Sequence, residues 1–79
     1  MRVLLRDAND GTLIVVNAME MGYDPATREL WISLPNEDNF IIGNMDSSAA
    51  TEISLKLYQE GMVSLTDYAA RFEEEGFED

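Results

Sequence analysis

Period-two alternation on both sides of a proline turn constrains this chain more than any other feature. Met19, Met21 and Tyr23 alternate with Glu20, Gly22 and Asp24. After the turn Asp24-Pro25-Ala26-Thr27, Leu30, Ile32 and Leu34 alternate with Glu29, Trp31 and Ser33. Successive side chains of a strand point to opposite faces, so an apolar residue at every second position marks a half-buried strand. Two such runs around a turn mark a hairpin. Pro25 presets φ for the second turn position, and the Asp24 carboxylate can accept from the backbone two residues on. The rest of the chain is expected to add strands to this hairpin and to cover one face with helix.

Arg2 to Asp7 reads as a first strand, with Val3 and Leu5 on one side and Leu4 on the other. Asp7-Ala8-Asn9-Asp10-Gly11 is a turn cluster in which Gly11 can take positive φ. Thr12 to Val16 is a second strand, apolar on both faces, and Asn17-Ala18 breaks it from the central hairpin. Pro35 to Asn39 is a further turn and Phe40 to Asn44 a last strand. Helical spacing then takes over. Asp46, Ser47 and Ser48 are N-cap residues by type, and Ala49, Ala50, Ile53 and Leu57 share one face. Gly61 ends this helix as a C′ residue, leaving Leu55 with Thr51 and Met62 on a flank suited to docking a second helix. Ser64 is expected to cap that helix, with Asp67 three residues on. Its stripe is Leu65, Tyr68, Ala69 and Phe72, and Asp67–Arg71 and Arg71–Glu75 are its i,i+4 pairs.

The expected architecture is α+β: an antiparallel meander of about five strands over residues 1–45, followed by two C-terminal helices over 46–76 packed on one face, with 77–79 a frayed acidic tail. The whole of 1–79 reads as a single domain. A curled SH3-like barrel with an appended helical hairpin is the alternative, because Leu4, Ile14, Val16, Trp31 and Ile41 should include residues on the face that the helices leave open, which must be buried by curling or meet a partner. Trp31 reads either as a half-buried cross-strand aromatic or as a contact for a partner. Met19, Met21, Leu30 and Ile32 are expected on the helix-covered face.

Charge sets the functional expectations. Sixteen acidic residues against five basic give a net charge of −11, with an isoelectric point near 4.1. Such a surface repels nucleic acid and anionic lipid, and attracts basic surfaces, including those that ordinarily hold nucleic acid. Acidity that serves solubility alone is the plainer reading. The chain has neither histidine nor cysteine, so thiol chemistry, triads and the commonest transition-metal ligands are absent, and no enzyme activity and no cofactor are expected. Asp7 to Gly11 has the residue types that open a calcium loop, but one residue is missing between Asn9 and Asp10, and Ala18 stands where the bidentate Glu belongs. The longest aliphatic run, Leu13 to Val16, is too short for a transmembrane helix or signal peptide, so a cytoplasmic setting is expected.

The candidate partner-binding residues are therefore carboxylates, chosen by position. Asp7 and Asp10 mark one turn, Asp24 a second, Glu37 and Asp38 a third, and Glu73, Glu74, Glu75, Glu78 and Asp79 crowd the C-terminus. Trp31 completes the set. With its size, meander, charge and the run Glu73-Glu74-Glu75-Gly76-Phe77-Glu78-Asp79, the chain resembles the small acidic inhibitors of bacterial defence systems carried by phages and mobile elements, anti-CRISPR proteins above all. That resemblance is one of type and rests on no shared motif. It implies a DNA mimic that occupies the basic nucleic-acid surface of a Cas nuclease in a host bacterial cytoplasm. The competing expectation is a non-enzymatic interaction module or homodimer that uses the apolar sheet face around Trp31.

Overall fold

The computed structural model describes residues 1–73. The chain forms β1 (Arg2–Asp7), β2 (Leu13–Asn17), β3 (Glu20–Asp24), β4 (Glu29–Ser33), β5 (Asn39–Ile42), α1 (Ser47–Glu60) and β6 (Met62–Glu73). The six strands make one sheet in the order β2-β1-β6-β5-β4-β3. Every pairing is antiparallel except β1 with β6, which is parallel. This overturns the expectation of a five-stranded antiparallel meander followed by two helices. The meander is confined to β3-β4-β5, and the segment read as a second helix is the longest strand, inserted between the two hairpin units.

Two hairpins turn on the same four-residue loop. In each, an Asp carboxylate accepts from the N–H two residues on, Asn9 to Asp7 at 2.8 Å and Ala26 to Asp24 at 2.9 Å. In each, the fourth loop residue is left-handed and donates its N–H to the carbonyl of that Asp at 2.8 Å: Gly11 at φ 78° and Arg28 at φ 60°. The β4–β5 turn also has a left-handed residue, Glu37 at φ 76°. The last strand of the meander stops at Ile42, short of the expected Asn44, which is itself left-handed at φ 55°.

Alternation sorts the strands into an inner and an outer face. Val3, Leu5, Leu30, Ile32, Phe40, Ile42, Val63 and Leu65 are buried inward, with Ile14, Val16, Met21 and Tyr23 packed against them. Helix α1 lies over this inner face through Ala50 and Leu57, with Ala49 and Ile53 beside them. Gly61 ends it at φ 73°, its N–H on the Leu57 carbonyl at 2.8 Å. Asp46 occupies the N-cap position but caps with no side-chain hydrogen bond; its carboxylate faces Arg28 at 3.6 Å. The Tyr23 hydroxyl donates to the Met45 carbonyl at 2.5 Å and the Met45 N–H to the Arg28 carbonyl at 3.0 Å, which ties the start of the helix to the central hairpin. Met19, expected in the core, is 60% exposed, and Ala18 is buried beside it instead. The chain crosses from one half of the sheet to the other at these two residues.

β6 holds the halves together. Its start runs parallel to β1, Val3 opposite Val63, and its end runs antiparallel to β5, Phe40 opposite Phe72. Between Leu4↔Ser64 and Arg6↔Ala69 the register slips, so that β6 bulges over Leu65 to Tyr68. The Arg6 guanidinium donates from Nε to the Thr66 carbonyl at 2.8 Å, filling one hydrogen-bonding position that the bulge strips from the ladder. Ser64 therefore caps nothing. Asp67 and Arg71 do not pair; Arg71 faces Glu29 at 3.9 Å. The expected Arg71–Glu75 pair lies outside the described residues. Among the described residues no second helix covers the flank bearing Leu55, which borders an open groove of about 500 Å³ between α1 and β6.

A carboxylate-bearing outer sheet face

Cross-strand partners in register share a face. On the outer side of β3 to β6 this rule generates two rows. Gly22, Trp31, Ile41 and Arg71 form the central row, and Glu20, Ser33, Asn39 and Glu73 the row beside it. Asp24 and Glu29 pair on the opposite side of the central row. The face thus has an apolar middle, Trp31 and Ile41, with carboxylates on both sides.

The middle is already largely occupied. Trp31 lies across Gly22, where a β-carbon would fall on its Cζ2, Cε2 and Cη2 atoms. Ile41, between Trp31 and Arg71 in register, is only 8% exposed. Arg71 reaches over β5 toward Glu29. Ser33 donates from Oγ to Asn39 Oδ1 at 2.9 Å, fixing the polar row. What the face offers outward is its carboxylates, held on hydrogen-bonded strands.

Of the residues singled out from sequence, Asp24, Glu73 and Trp31 come together on this face. Glu37 and Asp38 stand at its rim, in the turn that joins Ser33 to Asn39; the Asn36 amide bonds both the backbone and the carboxylate of Asp38 at 3.1 and 3.0 Å. Asp7, the last residue of β1, and Asp10, in the β1–β2 loop, are elsewhere; the loop is anchored to β6 by the Ala8 N–H on the Ala70 carbonyl at 2.9 Å. The Asp10 carboxyl is held below its ordinary value by the backbone N–H of Thr12, 3.0 Å away, and by the Thr12 side chain. Glu74, Glu75, Glu78 and Asp79 lie outside the described residues. Glu20 and Glu29 were missed among the candidates, although the alternation that sends Trp31 outward sends both of them outward too.

Among the described residues, no three carboxylates converge to hold a metal ion, and no helix is long and apolar enough to cross a membrane. No protein-family model, curated protein or solved structure matches the chain.

Proposed function

We propose that this protein is a non-catalytic binding protein whose outer sheet face engages a lysine- and arginine-rich protein surface of the kind that ordinarily holds nucleic acid. By occupying that surface it acts as an inhibitor, with a Cas nuclease as the target that the anti-CRISPR resemblance implies. One observation carries the reading. On the outer side of β3, β4 and the end of β6, Glu20, Asp24, Glu29 and Glu73 stand around one cation, Arg71, while Arg2 and Arg6 point outward from β1 in the other half of the sheet. Carboxylates fixed on paired strands lose little freedom on binding, and a basic groove gains from them what it gains from phosphates. The competing reading, an apolar contact centred on Trp31, is weakened because Gly22 and Ile41 already account for the ring's surroundings.

The test is target-DNA cleavage by purified, guide-loaded Cas nucleases, with and without the protein. Inhibition is expected to fade steeply as salt rises, since the screening length shrinks from about 10 Å at 0.1 M to about 3 Å at 1 M. It is expected to be lost on combined Glu20→Lys, Glu29→Lys and Glu73→Lys. A complex that survives high salt and is lost on Trp31→Ala alone would establish the apolar contact instead.

A further inference from the structure

The two edges of the sheet are treated differently. β3 carries Glu20 at one end, Asp24 at the other and Gly22 in the middle, and charges on an edge discourage strand addition. β2 carries no such protection. It reads Leu-Ile-Val-Val-Asn, and the whole run from Gly11 to Met19 is uncharged in a chain of net charge −11. Leu13 is 53% exposed and Val15 62% exposed.

The direction of the free backbone groups follows from the ladder with β1. Asp7 donates to Thr12 at 2.8 Å, and at the far end Ala18 donates to Met1 at 2.6 Å. In an antiparallel pair, hydrogen-bonded positions alternate. Thr12, Ile14, Val16 and Ala18 therefore direct their backbone groups toward β1, while Leu13, Val15 and Asn17 direct theirs out over the edge. Among the described residues, β2 pairs with no other strand.

We infer that this edge takes a second copy of the chain, β2 against β2 in antiparallel register about a two-fold axis at Val15. This surface is distinct from the carboxylate-bearing face and does not depend on the function proposed for it. Three features favour a second copy. The centred register pairs Val15 with Val15 and Leu13 with Asn17 of the other copy in both directions, so every outward N–H and C=O of β2 finds a partner; sliding the copies by two residues leaves some unpaired. The same register sets Ile14 opposite Val16 on the inner side, where both are half-buried beside the core, and apolar cross-strand pairs stabilise sheets. Finally, two strongly acidic chains repel wherever their charged surfaces meet, and the paired length of β2 itself carries no carboxylate, the flanking ones being Asp10 and Glu20 beyond its two ends.

Cysteine scanning tests both the dimer and its register, because the chain has no cysteine of its own. Directly opposed hydrogen-bonded residues have Cα atoms about 5.5 Å apart, within disulfide range. Val15→Cys should therefore give a covalent dimer under mild oxidation. Leu13→Cys alone should not, and a mixture of Leu13→Cys with Asn17→Cys should cross-link. Sedimentation of the unmodified chain should show mass doubling with concentration. Val15→Pro, which removes an outward N–H and leaves the β1 ladder intact, should weaken that association about tenfold or more while circular dichroism stays unchanged. A chain that stays monomeric at every concentration would overturn the inference, as would Leu13→Cys cross-linking to itself as readily as Val15→Cys.

Discussion

The indole of Trp31 on β4 covers Gly22 on β3, leaving no room for a β-carbon at that position. A glycine inside a strand normally weakens it, through backbone entropy and the missing side chain. Here the ring of the neighbouring strand takes the place of that side chain.

Gly22→Ala should therefore displace the ring and cost about 1–3 kcal/mol by overpacking, seen as a lower denaturation midpoint and a shifted emission from the chain's single tryptophan. Adding Trp31→Ala should recover part of the loss. Strict additivity of the two substitutions in a double-mutant cycle would show that they do not touch.

Left-handed backbone is easy for glycine and costs other residues about 1–2 kcal/mol. Glu37 at φ 76° occupies such a position. Glu37→Gly should raise stability by about 0.5–1 kcal/mol once the greater freedom of glycine in the unfolded chain is counted. Gly11→Ala, at φ 78°, should lower it by a similar amount or more. Urea denaturation of the two variants checks both signs.

Arg6 supports the β6 bulge through Thr66. Arg6→Ala should cost roughly 1 kcal/mol, given the exposure of the pair, and should speed amide exchange over Leu65 to Tyr68 before it affects β3 and β4. Arg6→Lys should rescue little, because the bond comes from the guanidinium Nε.

Like charges dominate the surface, so raising salt from about 10 to about 200 mM should raise the melting temperature by screening self-repulsion. Acid acts in the opposite sense at Asp10. Its folded pKa lies below the ordinary 3.8. Its stabilising contribution is thus fully present above that value and is lost as pH falls through the folded value. An Asp10→Asn variant should lack this component in melts across the acid range, with the Thr12 amide resonance reporting it directly by NMR.

Much of the fold is legible in the residues. Alternation places Val3, Leu5, Leu30 and Ile32 inward and Trp31 outward, and Asp24, Pro25 and Gly61 mark a turn and a helix end where they occur. β6 is not legible, and the bulge explains why. Val63 and Leu65 point inward before it, and Ala70 is buried after it. The slip thus shifts the phase of the alternation from odd positions to even ones. Across the junction Leu65, Tyr68, Ala69 and Phe72 fall at spacings of three and four, the mark of a helix. The parallel partner that decides the matter, β1, lies some sixty positions away and leaves no trace in local pattern. The carboxylate-bearing face is half legible for a related reason: turns draw attention to Asp24 and Glu37, whereas Glu20 and Glu29 gain meaning only once β3, β4 and β6 are known to be neighbours.

The place of β6 also has a consequence for how the molecule is made. Among the described residues it follows every other strand, yet it sits between β1 and β5. As the polypeptide leaves the ribosome, the β1–β2 hairpin and the β3-β4-β5 meander emerge first, each with an edge facing the gap that β6 will fill. Until translation reaches Glu73 there are two small sheets with four open edges, and afterwards one sheet with two. The nascent chain is therefore most exposed to strand-mediated misassembly just before its last strand arrives.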